Sequence, residues 1–237
     1  MRTVDRHADQ PIVRRRRFWQ GMTKVLMVLL LGPPLLIVLF SFVPAPPTPL
    51  MVIRAFQGHA MNRRWVPLER MAIDLPQAVV AAEDNLFCQE TFGFDVAAMR
   101  QQIDRLREGE AARGASTITM QTAKNLFLWP GRDFVRKGIE AWLTPQIALL
   151  WPKRRVMEVY LNVVEFGPGI YGAEAASRAF FHKSAADLTR REAALLAAVL
   201  PSPLNWSAAK PGPYVRERAG VISRRIDQLG PLLDCLL

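Results

Sequence analysis

A mostly apolar stretch runs from Val25 to Val43, 19 residues without a charge. A helix needs ~20 such residues to cross a bilayer core. Gly32, Pro33 and Pro34 interrupt it. In a membrane helix neighbouring groups satisfy the carbonyls that proline frees, so a kink is expected rather than a break. Pro44 to Pro49 then reads as a short stiff linker. From about Leu50 the pattern is mostly helical. Asp74-Leu75-Pro76-Gln77 reads as a helix start, with Asp74 as cap and Gln77 at the capping-box position. That helix continues through Ala78 to Ala82 and reaches Glu83 and Asp84. Thr189 and Glu192 form a second capping box ahead of Ala193 to Leu200, and Pro201 and Pro203 end that helix. It is apolar nearly all round, which predicts a buried core helix. No period-2 alternation is long enough for a large sheet, and no internal repeat is present. The fold class is therefore mainly α. The expected segments are a basic tail over 1–24, a transmembrane helix over 25–43, a linker over 44–50 and one folded domain over 51–237.

Charge adds a direction to this picture. The formal net charge is +10, from 31 Lys and Arg against 21 Asp and Glu. Residues 1 to 24 hold seven of the basic residues (Arg2, Arg6, Arg14, Arg15, Arg16, Arg17, Lys24) and only Asp5 and Asp9 as acids. The segment after Val43 is uncharged through Leu50. The positive-inside bias then puts the N-terminus in the cytoplasm and everything after Val43 outside it. A cleaved signal peptide would want a shorter apolar core and a small-x-small site, and Pro44-Ala45-Pro46-Pro47 is a poor one. Arg14 to Phe18 resembles a twin-arginine signal, but a basic flank to a membrane helix gives the same letters. An uncleaved anchor is the preferred reading. A basic chain can bind nucleic acid, yet it equally suits anionic lipid or phosphate groups, and the membrane segment favours those two. Cys88 and Cys235 have no metal-ligand spacing. They allow one bridge in an oxidising compartment or two buried thiols.

Three stretches carry chemistry. Glu83-Asp84 ends an apolar helical run, where desolvation would raise a carboxyl pKa and make a usable acid or base; an acidic pair at a solvated helix end is the plainer alternative. Gly114 to Asn125 (Gly-Ala-Ser-Thr-Ile-Thr-Met-Gln-Thr-Ala-Lys-Asn) supplies hydroxyls, an amide and an ammonium, the equipment for sugar hydroxyls and a phosphate. Arg132, Arg136 and Glu140 are spaced four apart and would share one helix face, either as a solvated ion-pair ladder or, beside Lys124, as a cationic site for a diphosphate leaving group.

In this order and spacing the residues resemble the peptidoglycan glycosyltransferases of the penicillin-binding-protein type, in their monofunctional biosynthetic form. The matching strings are Glu83 to Phe87, Gly114 to Asn125, Arg136-Lys137-Gly138-Ile139-Glu140, Lys153 to Asn162 with Phe166 to Gly172, and Leu188 to Pro203. The resemblance implies a lysozyme-like glycosyltransferase domain over 51–237 with a small membrane-proximal lobe. It implies that Glu83 is the general base toward the acceptor's 4-hydroxyl and Glu140 the second essential carboxylate. It further implies that Lys124 and Arg132 steady the departing diphosphate and that Ser116 and Gln121 line the site. Arg136 and Lys137 complete the substrate-binding set. Donor and acceptor would be lipid II and the growing glycan chain, with a β-1,4-linked strand and undecaprenyl diphosphate as products, at the bacterial inner membrane with the catalytic domain in the periplasm. Neither a cofactor nor a metal ligand set is indicated, a divalent cation is left open, nucleic acid is not expected, and partners among cell-wall synthesis and division proteins are left open. One departure stands out. The family pattern continues Glu-Asp-x-x-Phe-x-x-His-x-Gly, whereas here Glu90 holds the histidine position and Gly93 comes one residue late.

Ser207-Ala208-Ala209-Lys210 matches a Ser-x-x-Lys pattern, but no Lys-Thr-Gly follows, so no β-lactam binding is expected from it. The readings that compete with a polymerase are a lysozyme-like glycan hydrolase and a non-catalytic membrane-anchored assembly factor. The cations around Lys124 weigh against the first, because a glycosidase has no diphosphate to hold.

Overall fold

In the computed structural model residues 10–110, 115–131 and 133–236 are described. Helix α1 (Gln10–Phe40) continues through Pro33 and Pro34. Among the described residues it is the one helix long and apolar enough to span a membrane, over Trp19–Phe40. Its 22 residues rise about 33 Å at the usual 1.5 Å per residue, the thickness of a hydrocarbon core. Leu26 to Leu31 are exposed, whereas Ile37 and Phe40 near its C-terminal end are buried.

The last turn of an α-helix leaves four carbonyls without partners. Here the protein body supplies donors. The Trp151 indole donates to the Ile37 carbonyl at 2.7 Å. The Arg155 guanidinium donates to the carbonyls of Phe40 at 2.7 Å and Val43 at 2.5 Å. Arg155 also pairs with Glu158 and lies over the Trp65 ring, 5.4 Å from its centroid. Arg63 sits over the same ring at the same distance and donates to Ala45. The anchor and the start of its linker are thus bolted to the folded domain.

The domain is helical, with α2 (Pro49–Phe56), α3 (Asp74–Glu83), α4 (Val96–Arg107), α5 (Ile118–Phe127), α6 (Phe134–Leu150), α7 (Lys153–Val163), α8 (Ala173–Phe181), α9 (Arg190–Val199) and α10 (Pro213–Leu229). A sheet of three short strands has the order β1 (Asn62–Arg63), β3 (Ile170–Tyr171), β2 (Glu165–Gly167). Strands β1 and β3 are parallel and β2 is antiparallel to β3. Gly169 makes the sharp connection at φ +70°, and a Cβ there would fall 2.2 Å from the Ala60 carbonyl oxygen.

The expected core helix is α9. Ala193 to Val199 are buried, and the Thr189–Glu192 capping box is formed. It packs between α3 and α10, while α5 packs on α6 and α7. Helix α3 differs from expectation at its start. Asp74 is the first helical residue rather than the cap, and no side chain caps the helix. Leu75, Pro76 and Ala78 to Ala81 are buried, so packing rather than capping holds this element. Of the two options for the cysteines the bridge is the one formed, Cys88 to Cys235, with Cα atoms 5.6 Å apart.

Candidate active site

Glu83 is the last residue of α3 and Asp84 its C-cap. The apolar run that makes α3 a core helix therefore delivers two carboxylates to a place where water is scarce. A cavity of about 400 Å³ opens there, lined by Glu83, Asp84, Asn85, Ser116, Thr117 and Arg225 among others. Burial pushes the Glu83 carboxyl up, against the pull of Gln121, Arg218 and Lys124. Such a carboxylate is a better base than an exposed one.

Helix α5 brings the second group of residues. Its start is secured twice. Thr117 caps it by accepting from the Met120 N–H at 3.1 Å, and Asp84 Oδ2 accepts from the Ile118 N–H at 2.9 Å. A carboxylate at the positive end of a helix is favoured there. One turn on, the Gln121 amide N–H donates to Glu83 at 3.0 Å, and its oxygen accepts from the Tyr160 hydroxyl at 3.0 Å. Burial holds Tyr160 well above the usual phenol range, so it stays a donor. That donor fixes which end of the amide meets Glu83. Lys124, one turn further, is pushed down by burial and pulled back up by Glu140 and by Glu83, with Arg136 and Lys137 opposing. It lies in the field of both carboxylates.

Helix α6 supplies the third group. Asp133 caps it through the Arg136 N–H at 2.7 Å. Glu140 is buried, and Arg136 and Lys137 bond its two oxygens at 2.9 and 2.6 Å. The helix begins at Phe134, so the expected four-apart ladder is seen as the Arg136–Glu140 pair. Arg132 and Gly114 lie outside the described residues. Three cations, Lys124, Arg136 and Lys137, thus stand against two carboxylates, Glu140 and Glu83, which leaves positive charge over for an anion.

The structure brings Glu83, Ser116, Gln121 and Lys124 together at the cleft and places Arg136, Lys137 and Glu140 beside Lys124. It adds residues that the sequence reading did not single out. Arg218 approaches Glu83 at 3.5 Å, and Arg225 lines the cavity and donates to the Ala81 carbonyl at 3.0 Å. Both come from α10, seven residues and two turns apart, and that spacing was the one signal they left. Lys153, the first residue of α7 and of the matching string Lys153 to Asn162, sits over the Phe87 ring at 4.6 Å. The Ser207 hydroxyl accepts from the Lys210 backbone N–H at 3.2 Å in an exposed turn, which accounts for the Ser-x-x-Lys string.

A family model described as Transglycosylase matches residues 50–227. A "Biosynthetic peptidoglycan transglycosylase" of Caulobacter vibrioides is 48% identical over 224 residues, 94% of this chain and 97% of its own length. Proteins of the same description from Rhodospirillum centenum and Pseudomonas fluorescens are 51% identical over 211 residues and 47% over 221. They cover 89% and 91% of this chain, and 91% and 92% of their own. With this match over most of its length, the chain belongs to the transglycosylase family and is a peptidoglycan glycosyltransferase of cell-wall synthesis.

Proposed function

We propose that the protein polymerises lipid II into β-1,4-linked glycan strands and releases undecaprenyl diphosphate. The observation that carries this is Lys124, which lies between a desolvated base, Glu83, and a cation-rich buried carboxylate, Glu140. Glu83 takes the proton from the acceptor's 4-hydroxyl as that oxygen attacks the donor's anomeric carbon. The bond from that carbon to the diphosphate oxygen breaks, and the electron pair leaves with the diphosphate. Lys124, with Arg132 and Arg136, neutralises the charge that develops on it. Lys137 holds Glu140 in place beside the donor. Ser116 and Gln121 contact sugar and base. A hydrolase has no need of this surplus positive charge.

Seven basic residues lie within residues 1–24, at and before the start of the anchor, and the Cys88–Cys235 bridge lies after it. Disulfides persist in oxidising compartments. Both features support a single-pass protein of the inner membrane with its N-terminus in the cytoplasm and its catalytic domain in the periplasm. Partners beyond lipid II, the glycan strand and the membrane belong to whatever cell-wall machinery surrounds it.

The direct test is conversion of labelled lipid II to polymer by the purified chain in detergent. Glu83→Gln is expected to lower the rate by about 10²-fold or more, the usual worth of a positioned base, while lipid binding persists. Polymerisation by that variant at the wild-type rate would remove Glu83 from its role.

A further inference from the structure

The segment where this chain departs from its family is built into the site. Glu90 is buried, and neither of its carboxyl oxygens accepts a hydrogen bond. The charged groups that act on it are Asp84 at the end of α3, Lys153 at the start of α7 and Asp95 just before α4. The Lys153 ammonium has no hydrogen-bond partner either and is seated against Phe87. Asp84 is the residue that bonds the first amide of α5. The backbone holds this arrangement from both ends. The Glu90 N–H donates to Leu86 at 3.1 Å, Cys88 is bridged to Cys235, and the Gly93 carbonyl accepts from Thr117, the cap of α5, at 2.7 Å. Gly93 has φ +74°, and a Cβ there would press on Thr119 and Thr144.

Counting charge decides the state of Glu90. Two interior carboxyls, Asp84 and Glu90, face one ammonium. With both ionised, the set carries an uncompensated negative charge and two acceptors oppose each other, which burial penalises heavily. With one proton between them, the set is neutral. Glu90 then donates to Asp84, and Asp84 stays free to accept from Ile118.

We propose that Glu90 is a positioning residue whose protonated carboxyl hydrogen-bonds Asp84 and thereby fixes the first turn of α5, which carries Gln121 and Lys124 into the cleft. Burial first, and the Asp84 charge next, push the Glu90 carboxyl up to about 8 against the opposing pull of Lys153, so the proton is held at neutral pH and lost in mild alkali.

Two measurements test this, with Glu90→Gln as the variant, because an amide keeps a neutral donor. The first is kcat for lipid II polymerisation across pH, and it rests on the polymerase reading. The Glu90→Gln protein is expected within about threefold of wild type at pH 7. Between pH 7 and 9 the wild type should lose about tenfold more than the variant, the loss of neutral form above a pKa near 8, with KM little changed. The second is melting temperature across pH, which needs no substrate. A carboxyl whose folded pKa is raised costs stability from its unfolded pKa of about 4.3 up to its folded one. Wild type should therefore melt progressively below Glu90→Gln as pH rises from 5 to 8.5, and the gap should then stop growing. Parallel pH profiles, parallel melting curves or a Glu90→Gln protein that fails to fold would each overturn the proposal. A wild type without activity would sink the polymerase reading and leave melting to decide this one.

Discussion

At the scale of single residues the site is a relay of orientation. Tyr160 orients Gln121, and the Gln121 amide pulls the Glu83 carboxyl down against the larger upward push of burial. Removing the amide removes a bond that pulls the Glu83 carboxyl down. Gln121→Leu should therefore move the rising, acidic limb of the kcat/KM profile to higher pH, by about one unit for a hydrogen bond to a charged group. An unmoved limb would mean that the amide does not touch Glu83 in the working enzyme, or that Glu83 is not the proposed base. Tyr160→Phe should move the limb the same way by less, because the amide then turns rather than disappears. The place of Glu83 at the end of an apolar helix was legible in the sequence, while its proposed role came only through the family resemblance. Gln121 and Lys124 were legible as a string, although nothing local said which carboxylate they would meet. Arg218 was not legible as a partner of Glu83, since it arrives from another helix 135 positions along the chain.

At the scale of elements, burial decides more than caps do. The Thr189–Glu192 box marks α9 correctly, whereas α3 starts without any side-chain cap. Patterns that bury a whole face predicted both helices. The three-stranded sheet left no trace, because strands of two or three residues are too short to alternate. The junction between anchor and domain was equally silent, since Arg155 reads as one more basic residue in Lys153-Arg154-Arg155. Its guanidinium serves Phe40, Val43, Glu158 and the Trp65 face at once. Arg155→Ala should destabilise the detergent-solubilised chain by about 1–2 kcal/mol, the cost of leaving part-buried partners unsatisfied, read as a lower melting temperature. No change would show that the carbonyls at the end of α1 find water instead.

At the scale of the whole molecule, the Cys88–Cys235 bridge spans 147 residues and ties the chain after α10 to the loop that follows Glu83 and Asp84. Closing a loop of that length is worth about 2–5 kcal/mol. Replacing Cys235 by Ser, with Cys88 also Ser to avoid a stray thiol, should lower thermal stability by that amount, and reductant should then have no further effect. The sequence left the bridge open and gave two separate thiols at least equal weight, because pairing depends on where α10 returns in space. The mounting of the anchor has a wider consequence. A helix fastened through Trp151 and Arg155 cannot swivel freely beneath its domain. A bilayer thinner than its apolar length makes such a helix tilt. The tilt would carry the whole catalytic body with it, so that lipid composition sets the angle at which the cleft meets the headgroups.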